Sequence, residues 1–250
     1  MSGSRRVAII TGSSRGIGRA IALRLAKDGY NTVINYQSNA AKAQEVVNTI
    51  HSTYPSVKAI AVKGDVGYLE DGHKIIGETL KAFGRIDAVI FNAAWIVYES
   101  IHEVTEESYE KAFRTNVKAP MFFTKQLIPH LKAGARLIFV SSNLTSASIV
   151  TPTFFLYCAT KGAVEQMTRT LAKDLGSNGI TVNCVNPGPT DTEGFRDGNS
   201  EASIKFLEGA TPLGRLGRPE DIANTVSFLC SEGAAWVNGQ IMRFDGGMTV

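Results

Sequence analysis

Apolar positions along the chain change their spacing repeatedly, and each change marks an element. Short apolar runs, as in buried strands, alternate with stretches whose apolar residues recur every three or four positions, as in helices. "RVAIIT" (6–11) reads as a strand and "GIGRAIALRLAKDG" (16–29) as a helix closed by Gly29. "NTVINY" (31–36) is a second strand, and "AAKAQEVVNTIHSTY" (40–54) a helix with apolar positions at Val46, Val47 and Ile50. Strand "KAIAVKGDV" (58–66), helix "DGHKIIGETLKAFG" (71–84) and strand "IDAVIFNAA" (86–94) follow. A long helical stretch over 105–134 leads into the strand "ARLIFVSS" (135–142). The rest reads as helix 157–179, strand 180–188, helix 218–233 and strand 239–247.

Strands apolar on both faces and joined through helices predict a parallel sheet covered on both sides. No linker, low-complexity tract or repeat interrupts residues 1–250, so one α/β domain is expected. The least regular segment, 189–213, is polar and glycine-rich with a weak helical patch at 204–207. Such an excursion is either a substrate-binding lid or a solvated surface loop.

Composition narrows the function classes. The chain has 250 residues, 44% hydrophobic and 20% charged, which suits a soluble globular protein. A net charge of +3, with bases and acids mixed and no aromatic-basic stripe, gives no case for nucleic acid or an acidic membrane. Cys158, Cys184 and Cys230 are odd in number and unpaired in pattern, which argues against disulfides or zinc. His51, His73, His102 and His130 show no ligand spacing, so no metal site is expected. There is no signal-peptide pattern and no apolar run long enough for a membrane span, so a cytoplasmic location is expected.

"TGSSRGIG" (11–18) lies between the first strand and the first helix. Glycines there let the backbone approach a diphosphate seated on the unpaired amides of the helix N-terminus. The G-x-x-x-G-x-G spacing, preceded by threonine, resembles the short-chain dehydrogenase/reductase family, and most of the chain finds a counterpart in it. The resemblance implies a Rossmann-type doubly wound sheet. Gly12, Gly16 and Gly18 would form the dinucleotide turn, with Ser14 and Ile17 around it. Asp65, with Val66 beside it, matches the family residue that holds the adenine. Asn92, Ala93 and Ala94 match the family's Asn-Ala-Gly stretch, with Ala94 standing where glycine is usual.

An acid at the end of the second strand would select NAD(H) by bonding the ribose 2′-OH. None occurs before Glu45, whereas Arg15 sits inside the glycine turn. A guanidinium there favours a 2′-phosphate, with Asn35, Tyr36 and Ser38 as neutral donors, so NADP(H) is expected over NAD(H). Lys125 is a further, weaker cofactor candidate.

In "FLYCATKGAV", Tyr157 precedes Lys161 by four residues, placing both on one helix face. A tyrosine is a poor proton carrier at neutral pH, and a neighbouring ammonium favours its phenolate. The family's serine maps to Ser142, with Ser141 as the alternative, and its helix asparagine to Asn116. The resemblance then implies four roles. Ser142 polarises a substrate oxygen, Tyr157 exchanges its proton, Lys161 lowers the tyrosine pKa and bonds the ribose, and Asn116 carries a water link. "VNPGPTDT" (185–192) matches the family segment beside the nicotinamide, through Pro187, Gly188, Thr190 and Thr192.

The implied reaction is hydride transfer between NADP(H) and a ketone or secondary alcohol, running as reduction. Trp95, Tyr98, Phe154, Phe155 and Phe195 fall around the expected mouth and suggest an apolar or cyclic substrate. Family members assemble as homotetramers or homodimers, through helices that here span 105–130 and 157–175. An NADP-binding protein with a sensing or non-redox role is the alternative on the same fold.

Overall fold

The computed structural model describes residues 5–250. Seven strands form one parallel sheet: β1 (Val7–Ile10), β2 (Asn31–Tyr36), β3 (Ala59–Lys63), β4 (Ile86–Phe91), β5 (Leu131–Val140), β6 (Thr181–Pro187) and β7 (Ile241–Phe244). Their order across the sheet is β3-β2-β1-β4-β5-β6-β7. Helices α1 (Gly16–Lys27), α2 (Ala40–Thr53), α3 (Leu69–Phe83), α4 (Glu106–Phe113), α5 (Ala119–Leu127) and α6 (Phe155–Leu175) follow in chain order. After β6 come α7 (Glu193–Asp197), α8 (Glu201–Ala210) and α9 (Pro219–Cys230). The expected doubly wound Rossmann-type sheet is what forms.

Its two-sided burial follows from the strand pattern. In β1, Ala8 and Ile10 join one core with residues of α1, α2 and α9. Val7 and Ile9 point the other way, into a core with α3, α5 and α6. Because both faces are covered, nearly every strand position must be apolar. Gly84 closes α3 at φ 72° and Gly179 precedes β6 at φ 72°, so each sharp reversal before a strand uses the left-handed region.

The order in which strands are added reverses between β1 and β4, since β2 and β3 lie to one side and β5 to β7 to the other. Loops leaving the carboxyl ends of these strands part at that point and leave a crevice. The glycine turn, Asn92, Ser142 and Gly188 all follow strand ends at this rim.

Two stretches depart from expectation. The helical run 105–134 is broken by a π-helical turn at Arg114–Lys118, and Leu131 already pairs with Ile86 as strand. Segment 189–213 is more ordered than its composition suggests, because it holds α7 and α8. Thr192 and Ser200 cap these helices by accepting the backbone N–H groups of Phe195 and Ser203. Among the described residues, no helix is long and apolar enough to cross a membrane.

Candidate active site

The glycine turn is held from behind, which leaves its front to a ligand. Thr11 Oγ1 accepts the backbone N–H groups of Asn92 and Ala93, each at 3.0 Å. Asn92 Nδ2 donates to the carbonyls of Thr11 and Gly12 at 3.0 and 3.1 Å. Gly12 and Gly16 adopt φ of 62° and 56°, a region that costs other residues strain. A Cβ on Gly18 would lie 2.5 Å from the Gly12 carbonyl oxygen and 2.6 Å from Asn92 Nδ2.

The helix that follows carries no side-chain cap and no acid in its first turn. By contrast, α3, α4 and α9 begin with acids. The first amides of α1, flanked by Ser14 and Ile17, therefore present unneutralised positive charge to the crevice. That donor set fits a dinucleotide diphosphate.

At the adenosine end, Arg15 and Ser38 are exposed, Tyr36 is half-buried, and no acid stands at the end of β2. Asn35 corrects the expectation that it donates to a 2′-phosphate. Its side chain is buried, with Oδ1 accepting Gly12 N–H at 3.1 Å and Nδ2 donating to the Gly64 carbonyl at 3.0 Å. It welds β2 to the glycine turn and has no donor left over. Asp65, beside half-buried Val66, accepts Gly67 N–H at 2.9 Å and Gln37 Nε2 at 2.8 Å. Ala94, next to Asn92 and Ala93, is exposed.

Lys125 does not join this group. It lies exposed on α5, nine residues beyond Asn116, and the helical rise of about 1.5 Å per residue carries it away. Lys42 is a residue that the sequence reading missed. It pairs with Glu193 of α7 at 2.6 Å, linking α2 to the 189–213 segment. A base in the first turn of a helix opposes the dipole, and that was the available signal.

The catalytic candidates come together at the ends of β5 and α6. Tyr157 and Lys161 are 7% and 3% exposed. Ser142 stands beside the Tyr157 phenol and favours its ionised form. Ser141 instead donates to Glu165 Oε1 at 3.0 Å, so geometry separates the two serines in favour of Ser142. Asn116, buried in the π-helical turn, accepts Trp95 N–H at 2.8 Å and donates to Thr160 Oγ1 at 3.1 Å. A cavity of about 10 Å³ is lined by Asn116 and Lys161, roughly the room one water needs.

Electrostatics here differ from expectation. Burial holds the Tyr157 phenol well above its ordinary range, only partly opposed by Ser142. Lys161 does not lower it in this arrangement. Its ammonium donates to the Val140 carbonyl at 2.7 Å, 5.6 Å from the tyrosine ring centre, and desolvation dominates at both groups. Burial pushes Lys161 itself down to about 8.

That depression has a sign that can be tested. The unfolded chain, with a lysine near 10.5, binds more protons than the folded one between pH 8 and 10.5, so stability rises with pH there. Buried Cys184 and Cys230, pushed up to about 12, oppose this above their ordinary 9. Cofactor-free protein should therefore gain stability from pH 8 to 9, and Lys161→Met should flatten the gain. Urea midpoints at the two pH values decide it; equal slopes in both proteins would show that the ammonium stays charged when buried.

Segment 187–192 closes the crevice. Gly188 is required sterically, since a Cβ would sit 2.6 Å from Asp245 Cβ. Pro187 ends β6, and Gly188 N–H donates to the Phe244 carbonyl at 3.0 Å. The buried Thr190 hydroxyl donates to the Gly188 carbonyl at 2.8 Å, so any contact of this residue with a cofactor falls to its backbone. The Thr192 hydroxyl only accepts, capping α7, so its proton is free to donate. Its methyl faces Gly16, which brings it over the glycine turn.

Aromatic groups wall the other side. The Phe154 ring lies 5.3 Å from Tyr98 and 6.3 Å from Tyr157, and Gly198 sits near the Tyr98 hydroxyl. Trp95 is half-buried under Lys111, whose ammonium is 4.3 Å from its ring centre. Phe155 is half exposed at the start of α6.

Comparison with known proteins agrees with this arrangement. The family model described as enoyl-(acyl carrier protein) reductase matches residues 12–249. Short chain dehydrogenase claC of Passalora fulva is 38% identical over 253 residues, covering 97% of this chain and 94% of its own. The hydroxynaphthalene reductase-like protein Arp2 of Metarhizium brunneum is 38% identical over 255 residues, with the same coverage. A short chain dehydrogenase from Burkholderia cenocepacia, solved in complex with NADP, superposes with a TM-score of 0.92 at 32% identity, covering 99% of this chain and 98% of that one. An acid-free glycine turn, a serine against a buried phenol and a lysine one turn away thus sit in a chain that belongs to the short-chain dehydrogenase/reductase family.

Proposed function

We propose that the protein is an NADPH-dependent ketoreductase acting on a cyclic, largely apolar carbonyl compound. The observation that carries this reading is the buried grouping of Ser142, Tyr157 and Lys161 at the ends of β5 and α6. Reduction needs a proton donor, and a tyrosine phenol carries its proton at neutral pH. When bound, the nicotinamide supplies hydride to the carbonyl carbon. Ser142 donates a hydrogen bond to the carbonyl oxygen as negative charge develops there. Tyr157 then releases its Oη proton to that oxygen. Lys161, one turn along α6, is placed to hold the cofactor ribose, and the cavity beside Asn116 offers a water through which the proton returns.

Arg15 supplies the positive charge for a 2′-phosphate, and the name of the NADP-bound relative agrees. The wall of Tyr98 and Phe154 suits a flat ring system, in keeping with the name of the hydroxynaphthalene reductase-like relative. A homotetramer or homodimer in the cytoplasm is the setting we infer. Support for assembly comes from Tyr109 and Met121, exposed on α4 and α5, and from the fully exposed Trp236 before β7.

The test follows NADPH oxidation with bicyclic aromatic ketones and with small charged keto acids. Turnover of the bicyclic ketones is expected, with Arg15→Leu lowering kcat/KM for NADPH about tenfold or more and leaving NADH within about twofold. Preference for the small charged ketones would overturn the substrate reading. NADPH binding without turnover across the panel would favour the non-redox alternative.

A further inference from the structure

One carboxylate beside the crevice has no part in the steps above. Glu165 lies one turn beyond Lys161 on α6 and is half-buried. Its Oε1 accepts three hydrogen bonds: from Ser141 Oγ at 3.0 Å, Thr145 Oγ1 at 2.7 Å and Asn186 Nδ2 at 2.6 Å. Among the described residues it enters no ion pair. Neutral donors alone hold this side chain, so its geometry is set by hydrogen bonds and not by an opposing charge.

Those donors come from separate parts of the fold. Ser141 immediately precedes Ser142 at the end of β5. Thr145 follows it by three residues, and with its hydroxyl proton given to Glu165 its N–H lies 3.4 Å from the Ser142 carbonyl. Asn186 is the residue before Pro187 at the end of β6. Glu165 itself belongs to the helix that carries Tyr157 and Lys161. One oxygen therefore ties both flanks of Ser142 to the tyrosine's helix and to the strand leading into the 187–192 segment.

We propose that Glu165 is the positioning residue that aims the Ser142 hydroxyl at the substrate oxygen. The proposal rests on Ser142 acting as described under Proposed function. A hydrogen-bond donor contributes to the transition state only when held in place, and a misplacement of about 1 Å can cost on the order of a hundredfold in rate. Glu165 contacts neither substrate nor cofactor in this account; it acts through the backbone on either side of Ser142.

The test compares Glu165→Ala, Glu165→Gln, Thr145→Val, Ser142→Ala and the Glu165→Ala/Ser142→Ala double variant. It measures kcat and KM with a bicyclic ketone, and NADPH affinity by fluorescence. Glu165→Ala should lower kcat about thirtyfold with NADPH affinity within about twofold. Glu165→Gln should recover to within about threefold, because an amide oxygen accepts the same three donors. Once Ser142 is alanine, removing Glu165 should cost less than about twofold more, since the hydroxyl it aims is gone. Should Glu165→Ala not fold, Thr145→Val carries the same comparison, with a loss of about fivefold that vanishes in the Ser142→Ala background.

A Glu165→Ala enzyme, or in its place a Thr145→Val enzyme, that keeps wild-type kcat while Ser142→Ala is slow would overturn the proposal and leave the serine's role standing. So would losses that add in full in the double variant. A fast Ser142→Ala enzyme would instead overturn the serine's role, and this inference with it.

Discussion

Tyr157→Phe should lower kcat for ketone reduction by about a thousandfold while leaving NADPH affinity within about twofold. The substitution removes one oxygen and keeps the ring. That ring packs with Val97, Ala112 and Leu156, so a phenylalanine fills the same space and the fold should be undisturbed. What disappears is the acid that completes the alkoxide and the neighbour of the Ser142 hydroxyl. Steady-state kinetics beside a cofactor-binding titration check this, since a folding defect would move both and a lost proton donor only the first. A variant that kept a tenth of the wild-type kcat would mean that the proton comes from Ser142 or from solvent.

The second large effect is steric. A methyl on Gly18 meets the Gly12 carbonyl oxygen at 2.5 Å, Asn92 Nδ2 at 2.6 Å and Ser13 Cα at 2.9 Å. Two of these are backbone atoms and the third is an amide pinned by two hydrogen bonds, so none can swing aside. Gly18→Ala must open the turn or shift α1, at a cost of about 1–3 kcal/mol for an overpacked site. With the amides of α1 displaced, NADPH affinity should fall about a hundredfold. Gly77→Ala is the control: it lies within α3 with nothing within 4 Å of the added methyl, and should stabilise the protein by about 0.5–1 kcal/mol. Denaturant midpoints and cofactor titrations of both variants decide it. Normal NADPH binding by Gly18→Ala would remove the glycine turn from the diphosphate site.

The strand and helix order was legible because each element obeys one period over its length, and a sheet buried on both faces tolerates few polar intrusions. The π-helical turn at Arg114–Lys118 was not, since a single extra residue in a helical turn barely alters apolar spacing. Helix α8 showed in the sequence only as the weak helical patch at 204–207, because it buries no residue and has no strong apolar stripe, while the five-residue α7 is too short to show a period.

At the site, residues whose type is fixed by chemistry could be named from spacing, among them Gly18, Tyr157, Lys161 and Ser142. Residues whose side chains turn inward were misjudged. Asn35 has suitable donors, but only coordinates reveal that the fold has already used them. Glu165 was overlooked although it carries charge on the same helix as the buried Tyr157, Lys161, Val164 and Thr168. A charge four residues from a buried lysine on such a helix is its own signal.

The glycine turn, Asn92, Ser142 and the 187–192 segment all ride on loops that leave strands at their carboxyl ends, while the reversals at Gly84 and Gly179 lie at the opposite rim. The molecule therefore has a working edge and a maintenance edge. Substitutions at the second are judged by folding alone, whereas the first can trade side chains to suit a new substrate without redrawing the sheet beneath.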